Sequence, residues 1–412
     1  MNLPLNHSEP SLMHIDLNSC FATVEQQAYP SLRGKPLVIA AYTTPNGCVL
    51  AASIEAKRYG IKTGMRVRDA KLLYKNIIVR DPDPSMVRYV HLQLRNILNH
   101  YSTEVVPKSI DEFVINFSDM MAFKRDLTET GKEIKRKIRE RVGEWLSCNI
   151  GISTNRFLAK LGSSLHKPDG LDVVNYKNLR DVYSKITLVD LPGINTRFQA
   201  RLNACGIFTV LEFLEASARV LQKGVFKSII GYHWYQRLRG YEVDDVEFKT
   251  KSIGQQYALK VQTSDIKELS RILMKLSEKM GRRLRDGGYS AGGIRIYCVY
   301  KDSSFWQKGM LFHTRLYTTR DLYQKALLIL NSQPYKKVIT QLSVSSYDLI
   351  TKNDVQLGLF DEEKTKEDKI SEALDKINDR FGEFTVTPAT MLGTENVVLD
   401  RIAFGSVKAI RV

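Results

Sequence analysis

The sequence has few cysteines and no long apolar run, and each shortage excludes a class of protein. The five cysteines are widely spaced and none forms a CxxC pair, which argues against a disulfide framework and against a cysteine-based zinc site. No apolar stretch approaches the ~18 residues of a membrane span. The N-terminus lacks the basic-then-apolar order of a signal peptide. We therefore expect a cytoplasmic protein with no membrane partner.

Acidic residues are outnumbered by basic ones. Lys and Arg total 61 against 45 Asp and Glu, which gives a net charge of +16 and an isoelectric point near 9.4. Such an excess indicates a polyanionic partner, nucleic acid first and a membrane surface second. Charge alone leaves a merely soluble basic protein equally open.

The patterning along the 412 residues predicts about two to four domains. Strand and helix patterns alternate up to about residue 175, as in an α+β core. Within it, small and then charged residues at 49–59 predict a helix that ends at Gly60. Residues 176–245 are predicted to be all-helical, and 246–252 is a charged stretch that we interpret as a linker.

A second region of mixed structure follows at 253–350. Its patterns run strand, helix, strand, strand, helix, strand, which is the βαββαβ order of a ferredoxin-like split βαβ domain. The first of these helices carries Leu269, Leu273 and Leu276 on one side, as an amphipathic helix should. The tail, 351–412, begins polar and then contains an amphipathic helix with Ile370 and Leu374 on its apolar side.

Acidic residues lie at strand ends in two places. Asp16 lies at the end of an apolar strand, and Asp111 and Glu112 lie at the start of another strand after a turn. Taken singly, such an acid is most often exposed or a helix cap. Together they suggest a Mg²⁺ site, because Mg²⁺ prefers carboxylate oxygens, and two such ions can activate a 3′-hydroxyl and neutralise a leaving pyrophosphate. The spacing alone leaves open whether Asp16 and Asp111 meet in space.

Three motifs surround these acids in a fixed order. They are HIDLNSCFATVEQ at 14–26, SIDE at 109–112, and GISTNRFLAK at 151–160 followed by KPDG at 167–170. In these residues the chain resembles the Y-family translesion DNA polymerases, most closely their UmuC-like branch. The resemblance extends over nearly the whole chain and is weakest after about residue 383.

The resemblance implies an α+β multidomain fold, the right-hand polymerase architecture. The palm would comprise residues 1–28 and 85–175, and the small fingers 29–84. The helical thumb would be 176–245, the linker 246–252 and the little finger 253–350, the ferredoxin-like βαββαβ unit. Residues 351–412 would form the C-terminal tail.

The resemblance also implies an activity. The chain would extend primer–template DNA with dNTPs across damaged template, with low fidelity and without proofreading. Asp16 and Asp111 would bridge two Mg²⁺ ions, and Glu112 would hold the ion that activates the primer 3′-hydroxyl. The backbone carbonyl of Leu17 would complete the shell of the ion that holds the nucleotide.

Further residues of the motifs would bind the nucleotide. Phe21 would be the steric gate, a ring that leaves no room for a ribose 2′-hydroxyl, although a lone Phe on a helix is more often a core residue. Lys57 and Lys160 would hold the triphosphate, although a lone lysine is usually solvated. Ile54 and Lys57 stand where many relatives have Tyr and Arg, so we expect triphosphate binding there to differ in detail.

Two basic clusters are candidates for DNA contact. The stretch LPGIN at 191–195 resembles a helix–hairpin–helix, in which Gly193 would let backbone amides approach a phosphate, with Arg197 beyond it. A plain helix–turn is the alternative. Arg282, Arg283 and Arg285 form a candidate patch for the DNA backbone, with a solvated cluster as the alternative.

The polar tail contains QLGLF at 356–360, which resembles the peptide that binds the bacterial sliding clamp. Gln356 would occupy one pocket, and Leu357, Leu359 and Phe360 would anchor in an apolar groove. A short helix that packs on its own domain is the alternative. The resemblance to UmuC-like members also allows an UmuD-like accessory subunit and a role in SOS-type mutagenesis.

Two other functions remain to be weighed. One is a catalytically inactive DNA- and clamp-binding accessory protein, against which the intact Asp16, Asp111 and Glu112 argue. The other is a two-metal nuclease, which does not explain Phe21 or the lysines.

Overall fold

The structure is a computed structural model that describes residues 3–119, 126–246, 249–351 and 362–399, in the last range with side chains from 366 onward. The chain divides into two compact units, the first ending at Val246 and the second beginning after it. Among the described residues, the first unit has three buried apolar clusters and the second unit has one. Within the described residues, no helix is both long and apolar enough to cross a bilayer.

The first unit mixes strands and helices. Its strands are β1 (Leu12–Leu17), β2 (Leu37–Ala40), β3 (Val49–Ala52), β4 (Ile78–Arg80), β5 (Glu104–Pro107), β6 (Glu112–Asn116), β7 (Cys148–Ser153) and β8 (Leu171–Val174). Its α-helices are α1 (Cys20–Ala28), α2 (Ile54–Arg58), α3 (Val67–Leu73), α4 (Pro84–Leu98), α5 (Leu127–Arg141), α6 (Arg156–Leu165), α7 (Leu179–Ser184), α8 (Thr196–Asn203), α9 (Val210–Glu215) and α10 (Ile230–Arg237).

A five-stranded sheet in the order β5-β6-β1-β7-β8 frames the first unit. The central strand β1 runs antiparallel to β6 and β7, and its side chains alternate between the two faces of the sheet. Met13 and Ile15 belong to the apolar cluster that also includes residues of α4 and α5. His14 and Asp16 therefore face the other side, where α6 packs against β1 and β7.

Close packing of α6 on this sheet depends on a glycine. Gly151 of β7 is the direct partner of His14 in β1. A Cβ atom at Gly151 would lie 1.9 Å from the carbonyl oxygen of Ala159 and 2.3 Å from the amide nitrogen of Ser163. Any side chain at this position would push α6 off the sheet. The glycine thus sets the distance of α6 from the face that carries Asp16.

The smaller sheet of the first unit, β3-β2-β4, corrects one prediction. The single helix expected over 49–59 is instead strand β3 followed by the short helix α2. Val49 and Ala52 pair with Ala40 and Val38 of β2. Pairing within a buried sheet overrides the helix preference of alanine. Residues 176–245 are helical as predicted, with α7 to α10 packed around Phe213 and other buried apolar residues.

The second unit has the predicted βαββαβ order. Its elements are β9 (Ser252–Thr263), α11 (Ile266–Asp286), β10 (Tyr289–Tyr300), β11 (Phe305–Leu316), α12 (Thr319–Asn331) and β12 (Ile339–Thr351), followed by α13 (Glu362–Phe381). The antiparallel sheet has the order β11-β10-β12-β9. Strand β12 lies between β9 and β10, and β10 lies between β11 and β12, so both βαβ halves are split. Ile294 and Ile296 of β10 are buried in the cluster formed with α11 and α12.

Candidate active site

Asp16 and Glu112 face each other across two strands. They are direct partners in the antiparallel pairing of β1 with β6, a position in which like charges repel. Two lysines compensate. Lys167 forms an ion pair with Asp16, and the Nζ atom of Lys160 lies 2.6 Å from Oε2 of Glu112.

Asp111 joins this pair from the turn before β6. Its carbonyl oxygen accepts a hydrogen bond of 3.0 Å from the amide of Leu17, and Ser109 Oγ donates to its Oδ1 at 2.5 Å. Burial raises the pKa of Asp111; the Ser109 hydrogen bond lowers it, and the charges of Asp16 and Glu112 raise it further. The net upward shift reflects burial first, with the charges of the two neighbouring carboxylates adding to it.

The pKa of Glu112 shifts in the opposite direction. Burial raises this pKa, but the adjacent His14 and the hydrogen bond and charge of Lys160 outweigh burial and lower it to about 2. The Nε2 atom of His14 lies 3.5 Å from Oε2 of Glu112. Glu112 is therefore ionised at neutral pH.

All three acids border one cavity of about 320 Å³. Its wall also includes Leu17, Phe21 and Lys57, which the sequence predicted for the site, and Lys167, which it did not. The ammonium group of Lys160 contacts Glu112, which belongs to this wall.

The donor set fits a hard divalent cation. The carboxylates of Asp16, Asp111 and Glu112 supply the oxygen ligands that Mg²⁺ prefers, and a bound cation would offset the burial and the like charges that raise the pKa of Asp111. Among the described residues, no three His, Cys, Asp or Glu side chains converge closely enough to bind a metal as they stand. Lys167 and Lys160 pair with two of the carboxylates, so a cation would compete with these lysines.

A sharp turn before α1 places Phe21 at the cavity. Ser19, between β1 and α1, has a left-handed backbone with φ of 50°, and this turn directs the start of α1 towards the acids. Phe21 is only 9 % exposed. The neighbouring Cys20 is buried, and burial, followed by the charges of Asp111 and Asp16, raises the pKa of its thiol. The thiol is therefore neutral and unreactive.

Sequence reasoning did not assign Lys167, Ser109 or His14 to the site. All three nevertheless lie within the stretches that carry the resemblance, Lys167 as the first residue of KPDG. Their functions depend on which side chains meet in space. Sequence spacing alone does not give that information.

In the predicted helix–hairpin–helix, Gly193 and Asn195 are exposed, whereas Leu191 and Ile194 are buried. Gly193 has φ of +95°, a conformation that favours glycine. Asn195 caps α8 by accepting a hydrogen bond of 3.0 Å from the amide of Phe198, and Arg197 is exposed in the first turn of this helix. An exposed helix start with a basic residue suits a phosphate group, and DNA contact here stays a prediction.

The structure corrects the prediction of a DNA-contacting arginine patch on α11. Arg285 is buried, with 4 % of its side chain exposed, and its Nη2 and Nε atoms bind the two carboxylate oxygens of Asp375 in α13. Arg282 pairs with Asp379, also in α13, and Arg283 donates to a backbone carbonyl. Arg282 and Arg285 thus hold α13 against α11. Acidic side chains of α13 neutralise the charges that were expected to meet phosphate.

The clamp-peptide segment at 356–360 lies outside the described residues. The predicted roles of Gln356, Leu357, Leu359 and Phe360 therefore stay predictions.

Comparison with known proteins agrees with the motifs. Residues 15–164 match the impB/mucB/samB family, and residues 250–359 match the C-terminal domain of the same family. DNA polymerase IV of Moorella thermoacetica is 30% identical over 394 residues, which cover 93% of this chain and 97% of that protein. DNA polymerase IV of Pelotomaculum thermopropionicum is 29% identical over 396 residues, covering 94% and 96%.

Solved structures share the fold. A chimera of the Y-family DNA polymerases Dbh and Dpo4 has a TM-score of 0.73 at 23% identity, covering 82% of this chain and 99% of the chimera. An insertion ternary complex of Dbh DNA polymerase has a TM-score of 0.57 at 24% identity with the same coverage.

The chain belongs to the impB/mucB/samB family, the Y-family translesion DNA polymerases. It is a DNA-directed DNA polymerase, and its relatives above are polymerases of the DNA polymerase IV type. They do not single out the UmuC-like branch.

Replacing Arg285 by methionine tests the correction on α11. Breaking a buried ion pair leaves Asp375 uncompensated, which costs about 3–5 kcal/mol. We expect faster hydrogen exchange in α13 and a lower thermal midpoint, with the salt dependence of DNA binding unchanged. Arg320→Met, in an exposed pair with Glu367, is the control and should change stability by at most about 1 kcal/mol. A shallower salt slope in Arg285→Met would instead indicate a phosphate contact.

Proposed function

We propose that this protein synthesises DNA across damaged template by two-metal nucleotidyl transfer, with low fidelity and without proofreading. The observation that carries the proposal is the cavity in which Asp16, Asp111 and Glu112 lie together with Phe21 and Lys57. The cysteine usage suits a reducing cytoplasm as the place of action.

The carboxylates would hold the metal ions. Asp16 and Asp111 would each contact two Mg²⁺ ions, Glu112 the ion on the primer side, and Leu17 the ion on the nucleotide side through its carbonyl oxygen. When bound, these ions would lower the pKa of the primer 3′-hydroxyl and neutralise the leaving pyrophosphate. The strand pairing of Asp16 with Glu112 keeps the carboxylates in place, so that little reorganisation is needed.

The phosphates of the nucleotide would meet Lys57 and Lys160, as the motif resemblance implies, and also Lys167. Lys57 and Lys167 both border the cavity. Burial and the nearby charge of Lys167 lower the pKa of Lys57, while Asp16 raises it, as expected of two cations that share one region of space. A triphosphate would relieve their repulsion and take Lys167 from its contact with Asp16.

Phe21 would select the sugar. Its ring is nearly covered by the protein and borders the cavity, so it cannot move aside freely. A 2′-hydroxyl pressed against the ring would be both crowded and deprived of a hydrogen-bond partner.

Primer–template DNA and dNTP are the substrates that this site suits. Ternary complexes are named among the structures that share the fold. In the second unit, α11 and α12 cover one face of the sheet, while Arg295 and Lys308 are exposed on β10 and β11. These side chains offer basic groups to a phosphate backbone, and Arg197 offers another within the first unit.

Three further assignments rest on the sequence. The peptide at 356–360 suits the apolar groove of a bacterial sliding clamp. Membership of the UmuC-like branch, with an UmuD-like subunit, and a part in the SOS response follow from the motif resemblance. All three belong to the proposal.

Primer extension opposite an abasic site tests the proposed function. With Mg²⁺ and dNTPs, the wild-type protein should extend the primer, and Asp111→Ala should be slower by on the order of 10³-fold, or about 4 kcal/mol of transition-state stabilisation. Asp119→Ala, which removes an exposed acid near the same strand, is the control. If Asp111→Ala keeps the wild-type activity, Asp111 does not belong to the active site. If the wild-type protein binds DNA but does not extend the primer, the proposed polymerase function is wrong.

Sugar selection gives a separate test. Phe21→Ala should admit ribonucleotides, with the preference for dNTP over rNTP falling by on the order of 10²-fold, because the ring no longer fills the space next to C2′. The preference is measured as the ratio of kcat/KM values. Phe21→Tyr keeps the ring and should keep the preference. An unchanged ratio in Phe21→Ala would rule out the gate.

A further inference from the structure

Lys167 reaches the cavity from a loop between α6 and β8. This KPDG loop (167–170) lies outside both regular elements, yet Lys167 borders the cavity and pairs with Asp16. The ammonium group is at the end of a long, flexible side chain, 43 % of which is exposed. Where the ammonium group can bind therefore depends on how firmly the backbone of the loop is held.

One anchor of the loop is the buried side chain of Asn149. Asn149 in β7 is the direct strand partner of Asp16 in β1 and is only 1 % exposed. Its Oδ1 atom accepts a hydrogen bond of 2.9 Å from the amide of Gly170, the last residue of the loop. Its Nδ2 atom donates to Oδ1 of Asn18, whose own Nδ2 atom donates to Ser147 Oγ at 2.9 Å. Asn149 is thus fixed in place, and it holds the loop beside the strand that carries Asp16.

A second anchor comes from the opposite face of the sheet, where α5 packs against β7 and β8. The Nζ atom of Lys135 in α5 lies 3.0 Å from Oδ1 of Asp169 and donates to the carbonyl oxygen of Gly170 at 3.3 Å. Arg139, one turn further along α5, also pairs with Asp169. The side chain of Lys135 is 13 % exposed, so solvent and salt screen its contacts weakly. The loop is therefore held from both faces of the sheet.

The backbone of the loop follows a tight path. Asp169 has a left-handed backbone with φ of 60°, which aspartate adopts more often than most residues. A Cβ atom at Gly170 would lie 2.2 Å from the carbonyl oxygen of His166, because the chain folds back on itself there. Such a conformation persists only when surrounding groups hold it. Asn149 and Lys135 are two residues that do so.

We propose that Asn149 and Lys135 are positioning residues that hold the KPDG loop so that Lys167 can bind the triphosphate of the nucleotide. This inference rests on the proposed function, in which Lys167 contacts the phosphates. Neither anchor lies within the motifs that carry the family resemblance, since Asn149 comes just before the third motif and Lys135 belongs to α5. Both act on the nucleotide only through the backbone that carries Lys167.

Loss of an anchor should weaken nucleotide binding and leave the reaction of the bound complex unchanged. A freed loop must be ordered again whenever the nucleotide binds. Asn149→Ala and Lys135→Met should each raise the dNTP dissociation constant by about fivefold, and change the single-turnover rate constant at saturating dNTP by no more than about twofold. Lys167→Met should raise the dissociation constant by at least about tenfold. Lys135→Met tests the loop without altering the strand next to Asp16.

Double variants separate positioning from general damage to the site. If the two anchors act through Lys167, their effects should disappear once that lysine is replaced. In a Lys167→Met background, Asn149→Ala or Lys135→Met should raise the dNTP dissociation constant further by no more than about 1.5-fold. A full fivefold increase, as estimated above for the single changes, would overturn the proposal if it also occurred in that background.

Two matched controls come from the same unit. Asn178→Ala removes an asparagine whose side chain accepts from the amide of Asn175 at 2.9 Å and donates to the carbonyl oxygen of Val173 at 2.7 Å. Lys132→Met removes a lysine one turn before Lys135 that pairs within its own helix, so the net charge changes equally. Both controls should leave the dNTP dissociation constant unchanged. An increase in the controls as large as in the anchor variants would contradict the proposal.

The experiment measures binding and chemistry separately on the full-length protein. The dNTP dissociation constant is obtained from the fluorescence of a template base analogue, with a dideoxy-terminated primer and Ca²⁺ so that no reaction occurs. Single-turnover rate constants are then measured with Mg²⁺ and a normal primer. A slower rate constant with an unchanged dissociation constant in Asn149→Ala would show that the change disturbs Asp16, its strand partner, and would refute the positioning of Lys167.

Hydrogen exchange tests the anchoring independently of polymerase activity. In the protein without DNA or nucleotide, peptides that cover 167–172 should exchange at least about tenfold faster in Asn149→Ala than in the wild type, because the amide of Gly170 loses its acceptor. Unchanged exchange would rule out the anchor even in an active polymerase. If exchange accelerates but the wild type neither binds dNTP nor extends a primer, the proposed function fails while the anchor stands.

Discussion

The repulsion among three carboxylates is the constraint on which the first unit depends. Asp16 and Glu112 are paired directly across two strands, and Asp111 is tied to the end of β1 through the amide of Leu17. A site with this much negative charge is stable only with cations close by. The chain supplies the ammonium groups of Lys160 and Lys167. In a polymerase, bound metal ions can take over part of this neutralisation, which releases the lysines for a nucleotide.

The fold places those cations through its packing. The alternation of β1 puts Met13 and Ile15 into the core and Asp16 on the opposite face. Gly151 then lets α6 lie close enough for Lys160 to reach Glu112. The second unit uses charge differently. There, acidic residues of α13 neutralise Arg282 and Arg285, so the basic charge available for DNA is smaller than the composition suggests.

Local patterns predicted most of the fold and the carboxylates of the site. The family resemblance of the motifs pointed to Asp16, Asp111, Glu112 and Phe21, and the fold brings these residues to one cavity. The errors occurred where a partner distant in sequence decides the outcome. Strand β3 forms because β2 is beside it, and the role of Arg285 follows from Asp375, ninety positions further along the chain. For the same reason no sequence spacing distinguishes Lys160 from Lys167, since only the fold shows which of them Glu112 engages.

The central claim is that Asp16, Asp111 and Glu112 form one centre that binds two divalent ions. Counting bound Mn²⁺ by electron paramagnetic resonance tests it most directly, in a complex with dNTP and a primer that lacks its 3′-hydroxyl. The account predicts about two ions per wild-type complex and the loss of at least one in Asp111→Asn. An unchanged ion count in Asp111→Asn would contradict it.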